Sequence, residues 1–139
     1  MKVHTYLNYG GNCEQAFHFY EEHLGAKIMM LMKHGEEPGG PQNPGLSGVL
    51  HARLQLGDTF ISGADVSAER WQPMRSAYIA LAVDSNEEAE RIHAVLKEGG
   101  DVFMPMAETF FAHRFSMLRD RFGTSWMIIH ERPMPENQG

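Results

Sequence analysis

The sequence has a single cysteine, Cys13, so no internal disulfide can form, and this scarcity fits a reducing, cytoplasmic setting. It has no run of five or more basic residues. Asp and Glu outnumber Lys and Arg 18 to 12, for a formal net charge of −6 with His neutral. The electrostatic footprint of a nucleic-acid binder is therefore missing. Long apolar runs are absent too. The longest, residues 28–32 and 78–83, are strand-length, against the roughly 20 residues that span a membrane. The opening Met-Lys-Val-His-Thr-Tyr lacks an apolar h-region, so no secretory signal is expected. Core-forming residues, by contrast, are plentiful. With 42 % hydrophobic and 22 % charged residues, the 139-residue chain is predicted to form a single soluble domain without disulfides or a structural metal. Histidine and methionine are abundant, at eight and ten, and the histidines invite a metal hypothesis.

The hydrophobic pattern runs strand, helix, strand, strand, strand, and then repeats. Residues 4–9 read as a strand closed by Gly10-Gly11, with Asn12 placed to cap a helix through its side chain. Ala16, Phe17, Phe19, Tyr20 and Leu24 recur at helical spacing, and Gly25 supplies the stop. Residues 27–33 form a strand, and the Gly- and Pro-rich stretch 34–47 a loop. In residues 49–56, Leu50, Ala52, Leu54 and Leu56 alternate with His51, Arg53 and Gln55, which gives a strand with one oily face. Gly57-Asp58 turns it into the strand 59–64.

After a second loop the series restarts with the strand 76–83. Asp84-Ser85 caps a helix carrying Ala89, Ile92, Val95 and Leu96, and Gly99-Gly100 stops it. A short strand 102–106 ends at Pro105, residues 108–113 connect, and strands 115–120 and 125–130 form a hairpin around Phe122-Gly123. Asn12 thus recurs as Ser85, Gly25 as Gly99, and Gly57 as Gly123. This predicts an α+β fold of two βαβββ modules, 1–66 and 75–132, with a polar tail at 133–139. A module of about 65 residues cannot bury both sheet faces alone, so the modules should pack together or against a second chain.

Four stretches resemble a known family. They are Tyr6-Leu7-Asn8-Tyr9-Gly10-Gly11-Asn12-Cys13, His51-Ala52-Arg53-Leu54, Glu108-Thr109-Phe110-Phe111-Ala112-His113, and Asp120-Arg121-Phe122-Gly123-Thr124-Ser125-Trp126-Met127. Together they resemble the PhnB-like branch of the vicinal-oxygen-chelate superfamily, which includes glyoxalase I, bleomycin-resistance proteins and extradiol dioxygenases. The resemblance implies tandem βαβββ modules forming curved mixed sheets around a cavity, the glyoxalase/bleomycin-resistance fold, and a homodimer. Proteins of this branch are often labelled ubiquinone-pathway methyltransferases. A methyltransferase using S-adenosylmethionine needs a larger doubly wound domain with a glycine-rich turn, which Gly10-Gly11 does not supply.

Superfamily enzymes take four metal ligands from the first and last strands of the two modules. Carried across, these positions fall on Thr5 or His4, Ser62 or Gly63, Tyr78, and Met127. A phenol and a thioether are poor ligands for a hard or borderline divalent ion, so neither a metal nor another cofactor is expected. What remains is a small-molecule binding site. Its candidates are His51 and Arg53 on a polar strand face, Phe111 in an aromatic pair, Met127 lining an adaptable apolar cavity, and Trp126 and Tyr78 as aromatic walls. The alternative is a lyase, isomerase or oxygenase-type enzyme with a relocated metal at His51, Glu108 and His113, or a Glu108/His113 acid–base pair. His18, His23, His34 and His93 are expected to be solvated, and Cys13 to be a packed structural thiol.

Overall fold

The computed structural model describes residues 1–42 and 45–133. It divides into two compact units, Met1–Pro73 and Met74–Gly139. The first contains β1 (Thr5–Tyr9), α1 (Cys13–Leu24), β2 (Lys27–Lys33), β3 (Val49–Leu56) and β4 (Thr59–Asp65). The second contains β5 (Ile79–Ala82), α2 (Asn86–Lys97), β6 (Asp101–Ala107), β7 (Ala112–Arg119) and β8 (Ser125–Glu131). Strand order is β1-β4-β3-β2 in one sheet and β5-β8-β7-β6 in the other. In each, the first and last strands pair in parallel and the remaining pairs are antiparallel. The two units therefore share one βαβββ topology, with a helix as the crossover between parallel neighbours.

Each helix buries its stripe on one face of its own sheet. In the first unit Phe17 and Tyr20 of α1 are buried, as are Tyr9, Ala52, Leu54 and Ile61 of the sheet, and the Tyr9 and Phe17 rings pack edge-on at 6.0 Å. Gly63 permits this approach, because a Cβ there would stand 2.8 Å from Phe17 Cζ and 3.2 Å from Cys13 Sγ. In the second unit Ala89, Ile92 and Leu96 are buried, as are Leu118, Trp126 and Ile128 of the sheet. Trp126 is fully buried, and its Nε1–H donates to Asp120 Oδ2 at 2.8 Å.

Several local expectations need correction. Asn12 precedes α1, but its side chain makes no capping bond and its Oδ1 is buried without a partner. The helix start is held instead by Asp65, whose Oδ1 accepts from Gly11 N at 2.9 Å and Cys13 N at 3.0 Å. Its Oδ2 accepts from Val49 N at 2.8 Å. At α2 the expected cap is present: Ser85 Oγ accepts from Glu88 N at 3.1 Å.

Pro105 does not end β6, which runs on to Ala107. The strand is the outer one of its sheet, where a missing N–H costs little, and its register slips between Met104 and Ala107. β5 starts at Ile79, so Tyr78 precedes it, while β7 starts at Ala112 and includes His113. His93 is not solvated. It is 7 % exposed, with Nδ1 3.0 Å from Ser116 Oγ. Both ring nitrogens of His34 are likewise out of solvent, without hydrogen-bond partners. Apart from Pro133, the expected C-terminal tail lies outside the described residues.

Candidate functional site

In both units the face turned away from the helix carries the polar and adaptable side chains. In the first, Gly63 looks at α1, so its neighbour Ser62 looks away. The register then sets Tyr6, Ser62, Arg53 and Met30 in one cross-strand row on the open face. His51, two residues before Arg53 on β3, pairs with Met32. Tyr6, 52 % exposed, stacks on the His51 ring at 5.7 Å with 20° between planes. Its hydroxyl lies 3.1 Å from His51 Nδ1. Partial burial, with a smaller contribution from Cys13, raises the Tyr6 phenol pKa above its ordinary value. The Arg53 guanidinium lies 4.1 Å above the Phe60 ring centroid.

In the second unit Trp126 and Ile128 point into the core against α2, which turns Met127 to the open face, between Ala80 and Met117. Tyr78 packs edge-on against Phe103 at 6.4 Å and accepts a hydrogen bond from Arg75 Nη1 at 3.3 Å. Arg75 and Arg119 both lie over the Phe103 ring, at 4.1 and 5.5 Å. Phe111 sits between Phe110 and Phe115, edge-on to each at 5.2 and 5.1 Å, and Phe110 is 93 % exposed.

The structure unites some of the candidates and separates others. His51 and Arg53 share a face, and Tyr6, which sequence reasoning did not single out, ties to His51. Trp126 belongs to the core beside Asp120. Glu108 and His113 go to different partners: the Glu108 carboxylate pairs with Arg132. The His113 ring instead lies 4.8 Å from that of His130, whose Nδ1 is 2.8 Å from Asn86 Oδ1, the first residue of α2. His113 therefore lies on the helix side of the sheet. A shallow cleft of about 250 Å³ beside His130 is lined by Ala82, Val83, Asp84 and Glu131. Alternation in β1 could have flagged Tyr6, since it opposes the core residue Leu7. Nothing local marks Ser62 or Phe103.

The register also resolves the positions carried over from the metal-binding relatives. Thr5 pairs with the buried Ile61, on the helix side, which leaves His4 as the open-face candidate. His4 is two residues before Tyr6, the partner of Ser62, just as Tyr78 is two residues before Ala80, the partner of Met127. The resulting set is one imidazole, one hydroxyl, one phenol and one thioether. That set does not fit a divalent cation. Among the described residues no group of three or more His, Cys, Asp or Glu is arranged to hold a metal ion.

Residues 1–129 match the family model described as 3-demethylubiquinone-9 3-methyltransferase. The chain belongs to this family. It is 31 % identical to Protein YjdN of Escherichia coli over 97 % of its own length and 99 % of that protein's. It is also similar to the crystal structure of PA1353 from Pseudomonas aeruginosa, at 36 % identity and a TM-score of 0.84, covering 96 % of this chain and 99 % of that one. A Bacillus cereus protein described as a putative 3-demethylubiquinone-9 3-methyltransferase, PhnB protein, shares the fold at 23 % identity and a TM-score of 0.81, covering 94 % and 99 %. A glyoxylase/bleomycin resistance protein/dioxygenase domain from Frankia shares it at 16 % identity and a TM-score of 0.64, covering 95 % and 98 %. The chain is thus a PhnB-like protein of the vicinal-oxygen-chelate fold, with tandem modules as in these neighbours. Among the described residues no helix is long and apolar enough to cross a membrane.

Proposed function

We propose that this PhnB-like chain is a cytoplasmic, homodimeric small-molecule-binding protein that works without the superfamily metal and takes a partly aromatic or apolar ligand. The observation that carries the reading is the content of the open sheet faces. They offer stacked aromatics, thioethers and fixed hydrogen-bond donors, with one metal-competent side chain among the four inherited positions. Methyl transfer is not supported by the family label alone. Each sheet has a single parallel pair, and no doubly wound crevice for S-adenosylmethionine is present among the described residues. The metal-free binding reading is preferred to the acid–base alternative because Glu108 pairs with Arg132 while His113 has the His130 ring beside it.

Elemental analysis of untagged protein purified without chelators, followed by a thermal-shift screen and light scattering, tests the reading. The expected outcome is substoichiometric metal, a dimer mass, and stabilisation by small aromatic molecules. Stoichiometric zinc, nickel, manganese or iron would overturn the metal-free reading, and a monomer mass at micromolar concentration the dimer.

A further inference from the structure

The open face of the first sheet is chemically one-sided. Tyr6, Phe60, Ser62, His51, Arg53 and Gln55 supply it, and none is a carboxylate, although the chain carries 18 Asp and Glu against 12 Lys and Arg. Arg53 is exposed and has no carboxylate partner among the described residues, whereas Arg114, Arg119 and Arg132 each hold one, in Glu90, Asp101 and Glu108. It rests instead over the Phe60 ring, 4.1 Å from its centroid, an arrangement in which the N–H edge can make a forked pair of bonds.

His51 is prepared in the same sense. Tyr6 occupies Nδ1, so Nε2 is the nitrogen left for a ligand. With the Tyr6 hydroxyl donating to Nδ1, the ring carries a hydrogen on Nε2 and meets a ligand there as a donor. Ser62, set between Tyr6 and Arg53 in the row, adds a hydroxyl donor. Three kinds of donor, one of them permanently charged, share this face, and no carboxylate among the described residues pairs with its arginine.

We infer that this face recognises the oxyanion of an acidic small molecule, a carboxylate, phosphonate or phosphate. Arg53 is its charge partner and His51, positioned by Tyr6, its second donor. The apolar remainder of the ligand lies along Tyr6 and Met30. The inference rests on the small-molecule reading above and narrows it to a ligand class.

Benzoate, phenylphosphonate and neutral benzamide, titrated into the full chain and followed by amide and imidazole NMR shifts, test it. Both anions should bind about tenfold tighter than benzamide, with that margin shrinking as salt is raised. The stronger of the two identifies the planar or tetrahedral oxyanion, and either order supports the assignment. Arg53→Gln should weaken both anions about tenfold and benzamide by much less, with partial recovery of the anions in Arg53→Lys. Tyr6→Phe, which keeps the stacked ring and removes only the hydroxyl, should cost about threefold and shift the His51 ring-nitrogen resonances. Equal affinity for benzoate and benzamide, or full anion affinity in Arg53→Gln, overturns the oxyanion assignment while small-molecule binding stands. Should none of the three shift a first-unit resonance at about 10 mM, both readings fall.

Discussion

The two units have one topology and brace it differently. Each contains a buried carboxylate that accepts at least three hydrogen bonds, but at different points of the repeat. In the first, Asp65 at the end of β4 gathers Gly11 N and Cys13 N at the start of α1 and Val49 N at the start of β3. In the second, Asp120 follows β7 and gathers Phe122 N, Thr124 N and Trp126 Nε1 around the hairpin turn. The helix start there is left to Ser85. The topology thus demands that a helix start be satisfied, and leaves open whether a neighbouring serine or a distant aspartate does it.

The largest effect expected is at Asp65. Asp65→Ala strands three backbone donors, two of them buried, and should cost about 3–5 kcal/mol in urea denaturation, with Asp120→Ala comparable in the other unit. Cys13 offers a second readout. Its buried thiol, with Asp65 and Glu14 adding to the effect of burial, is pushed up to about 12, so native protein should resist thiol reagents and Asp65→Ala should label faster. A loss below about 1 kcal/mol would end the claim that this carboxylate organises the first unit.

The glycines after the helices come next. A Cβ on Gly100 would stand 2.2 Å from the Arg119 carbonyl oxygen, so Gly100→Ala should cost about 2–4 kcal/mol. Gly25 has open space around it and only its φ of +69° to defend, so Gly25→Ala should cost about 1 kcal/mol. Equal losses in thermal melts would refute the difference drawn between the two helix ends.

The caps should separate more gently. Ser85→Ala loses a real bond, at about 1 kcal/mol, whereas Asn12→Ala removes an unpartnered buried oxygen and should cost under about 0.5 kcal/mol or stabilise.

The smallest effect is a slope in pH. At the eighth residue of each helix, α1 buries Tyr20 and α2 buries His93. Burial, followed by the nearby Lys97, lowers the His93 pKa below the ordinary histidine value of 6.5. The unfolded chain therefore takes up a proton that the folded one refuses, and stability falls as pH drops from 6.5 towards the lowered value. Unfolding free energies of His93→Gln should lack this contribution between about pH 7 and pH 5. An unchanged pH slope in the variant would place the acid sensitivity elsewhere.

What the sequence revealed depended on how far apart the cooperating residues lie. Ser85 with Glu88, the Gly25 stop and the alternation of β3 are local, and they were legible. Asn12 looked like a cap because the aspartate that does the work is more than fifty residues further on. His93 looked like surface because only the packed sheet supplies Ser116. The site behaved in the same way. His51 and Arg53 could be placed on a polar face, but their union with Tyr6 and Ser62 required the cross-strand register. Glu108 and His113, five residues apart, were divided by Arg132 and His130 from the closing strand and its end.

The Asp65–Val49 bond has a consequence for how this chain can change over generations. With His34 N bonded to Gly48 O and Val49 N held by Asp65, the two ends of the connection between β2 and β3 are pinned together. The closure entropy of a loop already joined at its ends rises only slowly with length, by about 0.6 kcal/mol per doubling. Insertions and deletions there should leave the first sheet standing, so this loop is where descendants of the fold are free to try out new chain lengths.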